Sequence, residues 1–112
     1  MTTDLNAVAQ RHLDLAKKAD AARSSETVLG GHESALRQTV ITLANGAETS
    51  EHLNPGQASI LVLSGEIEVR TETARSELST GEFIEVPHDP HWVRALSDSA
   101  LLLTAVPRAH IR

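Results

Sequence analysis

Histidine is the side chain with the most chemical potential in this 112-residue sequence, which contains six histidines and no cysteine. The lack of thiolates excludes zinc ribbons, iron–sulfur clusters, thiol nucleophiles and disulfide scaffolds. There is also no glycine-rich phosphate loop, no serine nucleophile with a credible base and no aspartate-rich calcium loop. Imidazoles bind divalent transition metals, form hydrogen bonds and titrate near neutral pH. Site chemistry therefore depends on which histidines the fold brings together.

Two segments combine histidine with glycine and proline at defined spacing. The first, residues 46–65, has a glycine, five residues and then His52, and it ends on Gly65. The second, residues 81–93, has a glycine, five residues, a proline, a short turn and then His91. Glycine supplies positive φ where a chain reverses between strands, and a proline can end a strand at little cost. The two segments therefore predict a fold of short strands that carries two histidines.

This pair of segments resembles the two signature motifs of the cupin family of small β-barrels, over about residues 35–106. The resemblance is to the small single-domain, cupin-2-type proteins, which are generally without an assigned reaction. It implies an all-β fold, the cupin double-stranded β-helix or jelly-roll barrel. In metal-binding cupins, two histidines and a glutamate of the first motif meet one histidine of the second inside the barrel. The matching positions here are His52, Asn54, Ala58 and His91.

The metal-binding set that the resemblance implies is degenerate in this sequence. Alanine coordinates nothing and a neutral asparagine is a poor ligand, so His52 and His91 are left as metal ligands. Divalent ions normally take three or more protein ligands. We therefore expect no resident cofactor, with a divalent iron, manganese, nickel or zinc ion on the two histidines as the alternative. His88 replaces His91 in this role if the second motif is aligned three residues earlier.

The other three histidines carry less information about a site. His12 lies on the apolar stripe of a predicted helix, where it is expected to be packed or partly exposed. His32 is expected on the surface or in a subunit contact. His110 lies in the tail and is expected to be uninvolved.

The sequence divides into an N-terminal helix and linker, residues 1–24, and a β-barrel, residues 25–112. Thr3 or Asp4 can cap the helix, and its apolar residues recur every three or four positions. The stripe is thin, so the helix should be stable only when docked on the barrel or on a partner subunit. After residue 24, short β-branched runs alternate with glycine, proline and asparagine turns, which predicts seven or eight strands.

Alternation within these strands predicts which side chains face water. Four acidic residues alternate with apolar ones and are expected on solvated faces. They are Glu66, Glu68, Glu82 and Glu85. The two aromatic residues are Phe83 and Trp92. If His91 points into the barrel, Trp92 should point away from it, toward the helix or another subunit.

Composition excludes several classes of partner. A net charge of −5 opposes binding to a phosphate backbone, and two aromatic residues cannot form a base-stacking platform, so we expect no nucleic acid partner. No apolar run is longer than that of residues 100–103, which is far shorter than a membrane span, so we expect no membrane partner. The absence of cysteine and of a signal-peptide pattern favours a cytoplasmic protein.

Three functions fit these observations. The first is binding of a small organic ligand in the barrel, with Gln38, His52, Asn54 and His91 as polar contacts. The second is a metal-dependent enzyme of the dioxygenase, isomerase or decarboxylase type that uses His52 and His91. The third is a structural or assembly protein with a vestigial pocket. A homodimer is expected, because sheet edges and a thin helix both gain by pairing.

Overall fold

One α-helix and eight β-strands make up the described part of the chain, residues 2–31, 33–54 and 56–107 of a computed structural model. The helix is α1 (Leu5–Lys18). The strands are β1 (Arg23–Leu29), β2 (Arg37–Leu43), β3 (Gln57–Ser64), β4 (Glu66–Thr71), β5 (Arg75–Ser79), β6 (Phe83–Glu85), β7 (His91–Ala95) and β8 (Ser99–Val106). The prediction of a mostly β fold with one N-terminal helix is confirmed.

The strands form two antiparallel sheets. The larger sheet has five strands in the order β1-β2-β8-β3-β6, and the smaller sheet has three in the order β5-β4-β7. The last strand, β8, returns to the middle of the larger sheet, where it pairs with β2 on one side and β3 on the other. Strands far apart in the sequence thus lie side by side around one interior.

One aliphatic core joins the two sheets. Alternate residues of each strand face the interior, where Leu43, Val62 and Leu101 of the larger sheet are buried together with Ile67 and Val69 of the smaller sheet. A tight connection between β3 and β4 depends on Gly65, whose φ is +83°. A Cβ at this position would overlap the carbonyl oxygen of Asp98, so the connection requires glycine for both its φ and the close approach.

Helix α1 covers the outer face of the larger sheet. The Asp4 carboxylate caps it by accepting hydrogen bonds from the backbone N–H groups of Asn6 and Ala7, at 3.0 and 3.3 Å. Val8 and Ala9 are buried against side chains of β2 and β8. The helix therefore docks on its own chain. No helix of the described residues is long and apolar enough to cross a membrane.

His12 joins the helix to β1 and is partly buried, as expected of a packed helix residue. Its Nδ1 lies 2.7 Å from the Ser24 hydroxyl, and its Nε2 lies 2.8 Å from a carboxylate oxygen of Glu26. Arg11 donates to the same oxygen at 2.7 Å. The hydrogen bonds from His12 and Arg11 lower the pKa of the Glu26 carboxyl below its usual value.

The prediction that all four alternating glutamates are solvated is wrong for Glu68. Glu66, Glu82 and Glu85 are exposed, but Glu68 is only 5% exposed. It points outward from the central strand of the smaller sheet, and arginine side chains cover it. Arg70 Nε lies 3.0 Å and Arg75 Nη1 3.9 Å from its carboxylate oxygens.

Trp92 lies on this same outer face and outside the cavity described below, so its predicted orientation away from the interior agrees with the structure. Its ring is covered by Arg70, with the guanidinium carbon 5.6 Å from the ring centroid, a cation–π contact. Helix α1 packs on the other sheet, so the alternative of a helix contact for Trp92 is wrong.

Candidate functional site

A cavity of about 240 Å³ opens at one end of the interior, between the two sheets. The larger sheet supplies one aliphatic wall because alternate residues of each strand face inward. This wall consists of Ile41, Ala58, Ile60, Leu101, Leu103 and Ala105. Val86, Val93 and the exposed Leu53 complete the aliphatic lining, and four polar residues, Thr49, His52, Asn54 and His91, lie among them.

Backbone pairing brings the two motif histidines to the same face. The His52 N–H donates to the His91 carbonyl and the His91 N–H donates to the His52 carbonyl, both at 2.8 Å. Side chains of such an antiparallel pair project on the same side of the sheet. Both imidazoles line the cavity. His91 is 8% exposed, whereas His52 is exposed at the mouth, so His91 is the deeper of the two.

The His91 ring has a defined hydrogen-bonding state in its neutral form. Its Nδ1 lies 3.1 Å from the Asp89 carbonyl oxygen. A carbonyl oxygen only accepts, so Nδ1 carries the proton and Nε2 of the neutral ring has a lone pair. Within residues 2–31, 33–54 and 56–107, Nε2 has no hydrogen-bond partner. His91 therefore offers an acceptor to whatever occupies the cavity.

The other polar residues of the lining are held by the backbone around them. Asn54 donates to the Val86 carbonyl at 3.4 Å and accepts from the Gly56 N–H at 3.2 Å. Thr49 Oγ1 accepts from the Val93 N–H at 3.0 Å. His52 Nε2 lies 3.5 Å from the Ser50 hydroxyl, at the limit of a hydrogen bond. These contacts fix the Asn54 and Thr49 side chains against the wall.

The structure brings together most of the residues named from the sequence. His52, Asn54, Ala58 and His91 all line the cavity. Gln38 does not: it lies on the outer face of β2 and donates to the Thr104 hydroxyl at 3.1 Å. His88 is exposed and outside the lining. His32 and His110 lie outside the described residues.

Sequence reasoning missed Thr49. Strict alternation from His52 assigns odd-numbered residues to the opposite face, yet Thr49 lines the cavity. The cause is a one-residue irregularity in the pairing, because Glu48 lies opposite Arg94 while His52 lies opposite His91. Such a shift exchanges the inward and outward positions. No signal in the sequence marks it.

The residues of the cavity do not fit a resident metal. The four positions that hold the ion in metal-binding cupins do converge, but only His52 and His91 among them carry a good ligand atom. The described residues contain no group of three or more histidine, aspartate or glutamate side chains placed to hold a metal ion. Two imidazoles are fewer protein ligands than divalent ions normally take. We therefore derive no reaction step through a metal.

Comparison with known proteins identifies the family. Residues 39–107 match the family model described as the cupin domain. No curated protein matches the sequence. An RmlC-like cupin from Desulfovibrio desulfuricans is 31% identical, with a TM-score of 0.65 over 76% of this chain and 82% of that one.

Two further crystal structures have the same fold. A conserved protein of unknown function from Streptococcus pyogenes is 26% identical, with a TM-score of 0.69, over 82% of this chain and 83% of that one. A cupin superfamily protein from Desulfitobacterium hafniense is 19% identical, with a TM-score of 0.69, over 76% and 77%. With the matched family model and the two-sheet fold, these likenesses establish that the chain belongs to the cupin family.

Proposed function

We propose that this cupin binds a small organic molecule in the aliphatic cavity beside His52 and His91, and that the imidazoles act as hydrogen-bonding groups. The observation that carries the proposal is the buried imidazole of His91, whose Nε2 bonds to no described residue, at a cavity whose described walls are otherwise mainly hydrocarbon. Ligand sites commonly combine apolar walls with a few fixed polar groups.

The lining favours binding over metal-dependent catalysis. Nine of the thirteen described residues that line the cavity are aliphatic, which suits the hydrocarbon part of a ligand, at about 0.8 kcal/mol for each buried methylene. The loss of translational and rotational freedom on association offsets much of this gain. A simple probe of the right size should therefore bind weakly, with a Kd on the order of 0.1–1 mM.

Ala58→Leu tests the proposal, because the larger side chain fills part of the cavity from β3. A cyclic aliphatic alcohol is titrated into ¹⁵N-labelled protein, and backbone amide shifts are followed by NMR. We expect saturable shifts around the cavity in the wild type and at least about tenfold weaker binding in Ala58→Leu. Ala74→Leu is the matched control, since Ala74 is exposed in the turn between β4 and β5. Equal binding by wild type and Ala58→Leu would place the ligand elsewhere.

A further inference from the structure

We propose that the ligand is an uncharged, mainly hydrocarbon molecule of about ten non-hydrogen atoms whose hydroxyl or N–H group donates a hydrogen bond to Nε2 of His91. This inference rests on the proposed function, since it names the class of molecule that the cavity selects. It depends on three features of the cavity: the acceptor at His91, the absence of arginine, lysine, aspartate and glutamate among the described lining residues, and the volume.

The acceptor is set by the hydrogen bond on the other side of the ring. Nδ1 donates to the Asp89 carbonyl at 3.1 Å, so Nε2 of the neutral ring can only accept. The side chain belongs to a residue that is 8% exposed, and no described residue donates to Nε2. Burying this acceptor beneath a ligand that cannot donate would leave it unsatisfied, which is unfavourable. A ligand with a donor avoids this loss.

The lining argues against a charged ligand. The cavity residues among those described include no arginine, lysine, aspartate or glutamate. While the imidazoles of His52 and His91 are neutral, a carboxylate or an ammonium group would lose its hydration without gaining an opposite charge. Thr49 and Asn54 each already bond to the backbone, so they are poorly placed to solvate a full charge. A neutral polar group suits this environment better.

The cavity volume sets the size of the ligand. A cavity of about 150 Å³ lined by aliphatic and aromatic residues accommodates benzene, which has six non-hydrogen atoms. By proportion, the 240 Å³ present here accommodates about ten. Its aliphatic walls contact the hydrocarbon part of the ligand, and the donor lies at the His91 end.

Two isomers test the donor directly. Cyclohexylmethanol and methoxycyclohexane have the same formula and nearly the same shape, but only the alcohol donates a hydrogen bond. At about pH 8.5, where an ordinary imidazole is neutral, we expect the alcohol to bind the wild type roughly tenfold more tightly than the ether, with cyclohexanecarboxylate weaker than either. His91→Phe should reduce the preference for the alcohol to within about twofold. His88→Phe, the same change at an exposed position, should retain the full preference.

A second measurement does not depend on a variant that folds. In the protein without ligand, the ¹⁵N shifts of the neutral His91 ring should show a protonated Nδ1 and an unprotonated Nε2. Nε2 should then shift on addition of the alcohol and stay nearly unchanged on addition of the ether. Three results would overturn the assigned ligand class and leave cavity binding intact. They are equal binding of the two isomers, tighter binding of the carboxylate than of the alcohol, and a protonated Nε2 in the neutral His91 ring. Binding of none of the three probes would contradict the proposed function itself.

Discussion

His52 and His91 lie opposite each other and exchange two backbone hydrogen bonds of 2.8 Å. One residue comes from each cupin motif, so this pair joins the motifs at the cavity. The arrangement places two imidazoles on one face, with His91 buried and His52 exposed at the mouth. A cavity with a deep acceptor and an accessible second imidazole follows from this pairing.

The two-histidine set predicts that the wild-type protein will not retain a transition metal. Protein purified without a histidine tag should contain less than about a tenth of an equivalent of iron, manganese, nickel or zinc, because divalent ions normally take more ligands. Adding these ions should leave its Tm unchanged. A stoichiometric ion after purification, or a clear thermal shift on adding one of the four, would contradict the assignment.

Restoring the missing ligands should create a metal site, because all four positions already line the cavity. The double variant Asn54→His, Ala58→Glu should bind Zn²⁺ or Ni²⁺, and its Tm should rise on the order of 10 °C at about 100 times the Kd. Ala74→Glu, which adds an exposed carboxylate elsewhere, should show no such rise. If the folded double variant shows no metal-dependent shift, the four side chains do not converge as described.

The buried Glu68 carboxylate should matter for stability. Glu68→Gln removes the charge that faces Arg70 and Arg75, and we expect a loss of about 1–3 kcal/mol in the free energy of unfolding. The lower part of this range applies if the two arginines, which are partly exposed, become hydrated. Urea unfolding measures the change. Glu77→Gln, at the exposed cross-strand neighbour, is the control and should change stability by less than about 0.5 kcal/mol. If both substitutions lowered the free energy of unfolding equally, the stabilisation could not be assigned to the buried carboxylate of Glu68.

We expect the folded protein to lose stability in acid when the Asp98 carboxylate is protonated. The backbone N–H of Asn45 and, secondarily, the Lys17 ammonium lower the pKa of the Asp98 carboxyl below its usual value. Because this pKa is lower in the folded protein, the unfolded chain binds a proton at Asp98 more readily than the folded protein does. The stabilisation is thus complete well above about pH 4 and is lost as pH falls through the folded-state pKa.

Urea unfolding between neutral pH and pH 3 tests this sign. Asp98→Asn should be less stable than the wild type near neutral pH, and the difference should shrink in acid. Asp20→Asn, at an exposed residue after the helix, should follow the wild-type curve. A difference between Asp98→Asn and wild type that grows as pH falls would contradict a lowered pKa of the Asp98 carboxyl in the folded protein.

Self-association is expected through the outer face of β6. Phe83 is 65% exposed there and lies across from Leu61, on an edge strand of the larger sheet. Light scattering should give twice the 12.0 kDa chain mass, and Phe83→Ser should shift the mass toward the monomer. Leu15→Ser, at another exposed apolar residue, should leave the mass unchanged. A wild-type monomer at every concentration would exclude the homodimer.

The strands were largely predictable because turn residues separate them and β-branched residues fill them. The exception is the start of β1 at Arg23, because the sequence assigns residues up to 24 to the helix and linker. Residues 23–26 are polar and resemble a linker. They form a strand because β2 pairs with them and His12 of the helix contacts Ser24 and Glu26. This long-range pairing has no local signal.

The site was predictable where motif spacing determined it and unpredictable where register did. His52 and His91 are assigned by their distance from glycine and proline. Gln38 is predicted as a polar contact in the cavity, but the register of β2 turns it toward the outer face, where Thr104 accepts its hydrogen bond. Glu68 follows the alternation correctly, yet arginines from its own and a neighbouring strand bury it. Such burial depends on tertiary packing.

Intermolecular NOEs from bound cyclohexylmethanol show whether the ligand lies inside the barrel, because they locate it. We expect NOEs from the cyclohexyl ring to the methyl groups of Ile60, Leu101 and Leu103, which line the cavity. We expect none to Phe83, which faces a separate groove on the outer surface. NOEs to Phe83 and Val106 with none to the three cavity residues would contradict ligand binding inside the barrel.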